Sequence, residues 1–170
     1  MNFNFYTKVT FTCKELGISR VVQLPFDTGL DKLSYLLYAS LVETKLLEQD
    51  TFLMRFGDDV FITRMDEQEN GFGYSYDQYR VLETEKFINV VLQNPKSASF
   101  ELIDMKHQNY VFEMMMGDVL DRKNDEKLEL LQAQGLLLEA GADSSYDTKK
   151  VLSLIKKNLP LVRKIYHFDR

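Results

Sequence analysis

Residues 3–25 read FNFYTKVTFTCKELGISRVVQLP, and this stretch decides the fold class. In its first half, apolar residues fall on odd positions, namely Phe3, Phe5, Val9, Phe11 and Cys13. A period of two indicates a β-strand with one buried face. Glycine tolerates the backbone of a tight turn, so Gly17 predicts a reversal before a second strand that ends at Pro25. We therefore expect a β-hairpin.

Helical and hairpin patterns alternate over the next hundred or so residues. An apolar stripe at three- and four-residue spacing predicts a helix, and its members are Leu30, Leu33, Leu36, Leu37 and Leu41. Gly57-Asp58-Asp59 has the composition of a hairpin turn between strands at 51–56 and 60–63. A third hairpin is expected at 98–103 and 110–116, with residues 104–109 as its connection.

The last third of the chain has a helical pattern. From Asn124 onwards, Leu128, Leu131 and Leu138 share one face of a helix, and Pro160 interrupts a last helix. We predict an α+β fold in which an antiparallel sheet of five to seven strands is built from hairpins. Helices pack on one face of that sheet. The expected domains are an α+β core at 1–120 and a helical C-terminal extension at 121–170, packed on the core.

The composition limits which disulfides, metal sites and membrane helices the chain can form. The chain has 170 residues with one cysteine and two histidines, so neither a disulfide nor a zinc site built on cysteines is expected. We predict no metal and no cofactor. No apolar run approaches the roughly 18 residues that a membrane helix needs, and the expected location is the cytoplasm. The net charge is −5, but residues 147–170 hold seven basic and two acidic residues.

The order of these elements resembles the plasmid pRiA4b ORF-3-like family. The corresponding stretches are 6–11, 18–27, 30–37 and 52–56, the last of which stands where the family has His-Leu-His-x-Phe. Ser19 replaces the family's tryptophan, Phe52 and Met54 replace both histidines, and the later Tyr-Asp-Phe-Gly-Asp-x-Trp signature is missing. The resemblance covers roughly residues 5–120. It implies an α+β fold and no particular activity.

No set of residues typical of an enzyme converges, so we predict a noncatalytic protein. His107 near Asp104 is a fragment of a general-base pair, but the thiol of Cys13 lies on the apolar face of its strand. Gly71-Phe72-Gly73 lacks the third glycine of a phosphate-binding loop. The acidic residues near 58–59 and 66–69 lack the ligand spacing of an EF-hand.

Two interaction surfaces remain as candidates. Tyrosines in a loop and a methionine on a strand favour contact with another protein, and the residues are Tyr74, Tyr76, Tyr79 and Met115. Cations spaced by seven in the last helix favour an anion contact, and they are Lys149, Lys150, Lys156, Lys157, Arg163 and Lys164. A core strand and a solvated helix face are the plainer alternatives.

We predict a protein-interaction module with a protein partner that the sequence does not identify. The alternative function is a nucleic-acid-associated accessory protein that uses the basic C-terminal segment.

Overall fold

The computed structural model describes residues 4–49, 52–62, 79–93, 99–104, 106, 108–138 and 141–166. The strands in this part of the chain are β1 Phe5–Cys13, β2 Ile18–Pro25, β3 Phe52–Phe56, β4 Asp59–Ile62, β5 Tyr79–Val81, β6 Ser99–Asp104, β7 Asn109–Met116, β8 Leu120–Asp121, β9 Glu129–Gln134, β10 Leu136–Leu138 and β11 Gly141–Asp143. The α-helices are α1 Leu30–Leu41, α2 Thr44–Gln49, α3 Phe87–Gln93 and α4 Thr148–Ile165.

One large sheet organises the described residues. Its strand order is β5-β4-β3-β6-β7-β1-β2-β9, and β8 also pairs with β1, which makes nine strands. The neighbouring strands are antiparallel except for β4 and β5, which are parallel. The predicted α+β class with a mostly antiparallel sheet is confirmed, and the predicted five to seven strands were too few.

The first hairpin is confirmed. Strand β1 pairs with β2 from Tyr6 opposite Pro25 to Cys13 opposite Ile18. The turn contains Gly17 at φ 66°, a backbone conformation that glycine adopts without steric cost. Of the odd positions of β1 that the alternation assigned to the core, Val9, Phe11 and Cys13 are buried and Phe5 is half-buried.

Helices cover one face of the sheet, which we call the inner face. Val9 and Phe11 of β1 belong to one hydrophobic core with Leu33 and Leu37 of α1 and Val151 of α4. The apolar stripe of α1 thus packs as its spacing predicted. Among the described helices, none is long and apolar enough to cross a membrane.

The helix predicted from Asn124 is wrong, because this segment contains strands β9, β10 and β11. Consecutive residues of β2 face Leu130 and Gln132 of β9, so Leu131 is an extra residue in a β-bulge. The bulge shifts the strand alternation, and the inward residues Leu130 and Ala133 lie three positions apart. Apolar residues at this spacing imitate the period of a helix.

The helical extension predicted at 121–170 is therefore reduced to α4 within the described residues. Sheet pairing crosses residue 120, because β8 pairs with β1 and β9 pairs with β2. The division into domains at this residue stays a prediction.

A buried arginine joins three parts of the chain. Arg20 lies on the inner face of β2 and is 0% exposed. Its Nε donates to Ser40 Oγ at 3.1 Å, and its Nη2 donates to the carbonyl oxygens of Ser40 at 2.5 Å and Gly135 at 2.8 Å. Its Nη1 donates to the carbonyl oxygens of Ser19 at 2.7 Å and Gln134 at 2.9 Å. All five N–H groups of the guanidinium thus have an acceptor.

The charge of Arg20 persists at neutral pH. Burial lowers the pKa of Arg20 to about 10, which still lies well above neutrality. The guanidinium faces the carbonyl end of α1, where the helix dipole favours a positive charge. This buried cation is therefore stabilised by four carbonyl oxygens and the Ser40 hydroxyl, none of which is a carboxylate.

A buried asparagine completes the cap of α1. Asn158 of α4 is 0% exposed, and its Nδ2 donates to the carbonyl oxygens of Ala39 at 3.0 Å and Val42 at 2.8 Å. Its Oδ1 accepts from Thr44 Oγ1 at 2.8 Å. The last carbonyls of a helix have no partner within the helix. The side chain of Asn158 satisfies two carbonyls there and fixes α4 against α1.

Helix α4 continues through Pro160, contrary to the predicted interruption. A proline has no N–H, so the carbonyl of Lys156 loses its helical partner. Pro160 lies on the exposed side of the helix, where water can hydrate that carbonyl. On the other side Val151, Ile155 and Val162 are buried, and this packing holds the helix together.

We expect Arg20→Met to lower the free energy of unfolding by about 3 kcal/mol or more, because it leaves several buried carbonyl oxygens without a donor. Arg20→Lys keeps the charge but offers three donors, so its loss should be intermediate. Urea unfolding followed by circular dichroism measures both. The control is Arg55→Met, which removes the half-exposed pair of Arg55 with Glu101 and should lose no more than about 1 kcal/mol. Equal losses at positions 20 and 55 would contradict the role of Arg20.

We expect Pro160→Ala to raise the free energy of unfolding, by up to about 3 kcal/mol, because it restores a helical hydrogen bond. Ser153→Ala on the same exposed side of α4 leaves the backbone donors unchanged and should change it by about 0.5 kcal/mol or less. Urea unfolding of the two variants gives the comparison. A neutral or destabilising Pro160→Ala would mean that α4 depends on the proline.

Candidate interaction surfaces

The face of the sheet opposite the helices, the open face, carries an exposed apolar group. Val111 and Met115 of β7 point away from the buried Phe112, and they are 46% and 75% exposed. Leu120 of β8 is 43% exposed and lies opposite Tyr6. Directly opposed residues of an antiparallel pair share a face, and Tyr6 is on the open face because the odd positions of β1 face inward. We call Val111, Met115 and Leu120 the Met115 surface.

The backbone between β7 and β8 explains why Met115 and Leu120 share a face although five positions separate them. The amide of Gly117 donates to the Lys8 carbonyl at 2.7 Å, which ends the regular ladder. Thr7 Oγ1 lies 3.0 Å from the carbonyl oxygen of Gly117 and 2.9 Å from that of Asp118. The Thr7 hydroxyl thus stabilises an irregular turn that changes the alternation before β8.

Exposed apolar side chains are concentrated in this part of the described chain. Of the seven large exposed hydrophobic residues there, five fall between positions 111 and 120; they are Val111, Met115, Met116, Val119 and Leu120. Single exposed apolar residues are normal, but several on one face favour an interaction site; Val111, Met115 and Leu120 share the open face, whereas Met116 lies opposite the inward-facing Val9. The 75% exposure of Met115 excludes the core alternative for its side chain, its role in an interaction stays a prediction, and Val111 and Leu120 were missed. Strand alternation at 110–116 already contained the signal for Val111.

Charges surround the Met115 surface unevenly. Lys14 Nζ lies 3.0 Å from Glu113 Oε2, and Arg55 forms an ion pair with Glu101. Residues 111–121 contain three acidic residues and no basic one. Asp118 and Asp121, next to Val119 and Leu120, are exposed. Asp121 lies opposite the inward-facing Phe5 and so points away from this face, whereas the exposed Lys8 of β1 lies on it. Asp118 is therefore the exposed acidic residue that remains at the β8 end of the surface.

None of the three tyrosines predicted to form an interaction surface with Met115 is described close to it. Tyr74 and Tyr76 lie outside the described residues. The backbone of Tyr79 begins β5 and pairs with Val60 of β4. Strand β5 is at the far end of the sheet order from β1, so the backbone at Tyr79 is several strands away from β7.

Helix α4 presents the predicted cations on one exposed side. Val151, Ile155, Asn158 and Val162 face inward. All six cations are exposed, and they are Lys149, Lys150, Lys156, Lys157, Arg163 and Lys164. No acidic residue occurs within α4, although Asp147 caps it by accepting from the Lys150 amide at 3.0 Å. We call these six residues the basic face.

A groove opens at the start of the basic face. It has a volume of about 640 Å³, and its lining consists of Tyr146, Asp147, Lys149, Lys150, Ser153, Leu154 and Lys157. The Nζ of Lys150 lies 3.3 Å from the Ser145 carbonyl oxygen and 5.9 Å from the centre of the Tyr146 ring. The structure thus brings three of the predicted cations together around one groove. Tyr146 and Ser153 were missed, although a helical projection of α4 places Ser153 among the lysines.

Tyr146 is held in place at the groove wall. Its hydroxyl donates to Glu43 Oε1 at 3.2 Å. Burial and the neighbouring Glu43 carboxylate raise the pKa of Tyr146 above its ordinary value, so the phenol is neutral at physiological pH. The wall of the groove therefore presents a neutral aromatic ring beside lysine side chains.

Two of the residues considered for catalysis, Cys13 and Asp104, lie in the described part of the chain, and both have structural surroundings there. Cys13 is buried in the core, and burial together with Glu15 raises the pKa of its thiol. The Oδ1 of Asp104 accepts from the amides of Lys106 and Gln108 at 2.9 Å each, and its Oδ2 accepts from Tyr110 at 3.1 Å. Asp104 thus stabilises the hairpin between β6 and β7. The structure does not describe His107. Within the described ranges, no three acidic, histidine or cysteine residues cluster as metal ligands do.

The comparisons with known proteins show a fold and no family. No family model matches the chain, and no curated protein matches it. The crystal structure of a protein of unknown function from Methanosarcina mazei Go1 is similar, with a TM-score of 0.53 and 13% identity. The alignment covers 95% of this chain and 83% of that chain. The shared feature is the fold alone, and the resemblance to the plasmid pRiA4b ORF-3-like family stays a prediction.

Proposed function

We propose that this chain is a noncatalytic protein-interaction module that binds its partner at the Met115 surface. The observation that carries the proposal is the 75% exposure of Met115, which shares a sheet face with two other exposed apolar residues, Val111 and Leu120. Methionine adapts its shape to irregular partner surfaces, and contiguous apolar patches are characteristic of interaction sites. The opposite side of β7 is anchored in the core through Phe112, so the surface is rigid.

The partner that fits is an amphipathic helix of another protein, with basic residues beside its apolar stripe. The inner face of the sheet already packs helices, and a helix on the open face would add a third layer of the same kind. The exposed Asp118 at the β8 end attracts basic residues of the partner. The surrounding body strengthens this preference: outside α4 there remain 15 of the 21 basic residues against all 26 acidic ones.

A noncatalytic role is supported by how the reactive groups are used. The Cys13 thiol is protonated and buried, and both carboxylate oxygens of Asp104 accept hydrogen bonds within a turn. A nucleophile or general base must instead reach a substrate. These groups stabilise the fold.

The test places a photo-crosslinking amino acid at position 115 in the full chain, expressed in its native cells. The matched control carries the same amino acid at Leu92 of α3, which is 59% exposed. We expect a discrete protein adduct from position 115 that is absent from position 92. Identical adducts from both positions, no adduct, or an adduct of the chain with itself would each overturn the proposal.

We further expect Met115→Glu to weaken binding of the captured partner at least tenfold, since a buried apolar anchor contributes more than about 1.4 kcal/mol. Leu92→Glu changes the charge equally and should leave the affinity unchanged. Titration calorimetry with the purified partner gives both affinities. Unfolding in urea checks that neither variant loses stability.

A further inference from the structure

We infer that the basic face of α4 is a second binding site, and that its ligand is the phosphate backbone of nucleic acid. The six cations fall within the 18 residues of α4, a segment that contains no acidic residue. Each cation lies on the exposed side of the helix. The site is separate from the Met115 surface, since α4 packs in the helical layer on the inner face.

The cations form two rows on a rigid rod. Lys149, Lys156 and Arg163 make one row with seven-residue spacing, which is about 10.5 Å along a helix axis. The other row is shifted by one residue and consists of Lys150, Lys157 and Lys164. The buried face of α4 and the hydrogen bonds of Asn158 to the end of α1 fix the helix. Binding would therefore order only the lysine side chains.

The position of two lysines argues against a purely structural explanation. The dipole of a helix favours cations at its C-terminal end and disfavours them in its first turn. Arg163 and Lys164 in the last turn stabilise α4, as a solvated helix face would require. Lys149 and Lys150 occupy the first turn, where a positive charge opposes helix formation. Lys150 offsets part of this cost through its contacts with the Ser145 carbonyl oxygen and the Tyr146 ring, and a bound anion would offset the remainder at both lysines.

The groove gives this end of the site its shape. Lys149, Lys150 and Lys157 line it together with Ser153 and Tyr146, and its volume of about 640 Å³ is within the range of ligand-binding clefts. The lysines and the Ser153 hydroxyl are donors suited to phosphate oxygens. The rows then continue along the helix, so an extended anion with regularly repeated charge fits better than a single phosphate.

Nucleic acid satisfies these requirements better than a membrane or an acidic protein. The apolar residues of α4, such as Val151 and Val162, are buried in the core and cannot insert into a lipid surface. Nucleic acid repeats its charge at every nucleotide, whereas acidic protein surfaces seldom sustain such a density. The excess of acidic residues outside α4 repels phosphates, which confines the contact to this one helix.

The test measures binding of the full chain to a fluorescent mixed-sequence RNA and to a DNA duplex, each about 20 nucleotides or base pairs long, by anisotropy over a range of salt concentrations. We expect weak, sequence-independent binding that falls steeply with salt. The triple variant K149Q/K150Q/K157Q should bind at least tenfold more weakly and reduce the salt slope by about two to three. The control K8Q/K14Q/K123Q removes the same charge from outside α4 and should change the affinity less than twofold.

Stability separates loss of the site from loss of the fold. Lys149 and Lys150 oppose the helix dipole, and the contacts of Lys150 with Ser145 and Tyr146 are exposed, so neutralising these lysines should change the urea midpoint little while binding falls. Equal loss in both triple variants, no binding by the wild-type chain at low salt, or preferential binding to polyglutamate or anionic vesicles would overturn the inference. Met115→Glu should leave nucleic-acid binding unchanged, so this inference and the proposed function can fail separately.

Discussion

The fold depends on the burial of one guanidinium. Arg20 joins β2 to the end of α1 and to the turn between β9 and β10, and each of its five N–H groups meets an oxygen. A buried charge is tolerated only when its hydrogen-bonding capacity is satisfied. The β9 register and the position of α1 must therefore both be correct for Arg20 to enter the core. The turn itself requires Gly135 at φ 78°, because a Cβ there would lie 2.8 Å from the Gly17 carbonyl oxygen.

The same constraint positions the basic face. The end of α1 is capped by Arg20 from the sheet side and by Asn158 from α4. Thr148 in the first turn of α4 accepts a hydrogen bond from the Ala133 amide of β9 at 3.0 Å. Helix α4 is thus fixed at its start by the sheet edge and in its middle by α1. Its exposed lysines are carried by a backbone that has little freedom to move.

The sequence predicted those parts of the fold in which local pattern and tertiary packing agree. The hairpin of β1 and β2 and the leucine stripe of α1 follow from their periods, because regular elements bury the side that the period marks. At β9 the bulge at Leu131 shifts the alternation of buried residues, so the buried residues of this strand have the spacing expected of a helix. Arg20 has the same parity as Ile18 and Val22, so the alternation placed it inside. The positive charge of Arg20 by itself favours a surface position, and its burial is explained by the oxygen acceptors that surround it.

The candidate surfaces were also predictable only in part. The cations of α4 and Met115 were picked out from the sequence pattern, whereas the groove beside Tyr146 requires the tertiary contact with Glu43.

One of the two surfaces is apolar and the other is basic. Each is the outer side of an element whose inner side belongs to one core. Strand β7 buries Phe112 and exposes Met115, while α4 buries Val151 and exposes Lys150. The sheet and the helical layer lie between them, so occupation of one surface leaves the other accessible. Substitutions on the outer sides remove binding groups without removing core volume, and stability and binding can therefore change independently. A chain built in this way can hold a protein helix on its open face and a phosphate backbone on its helical side at the same time.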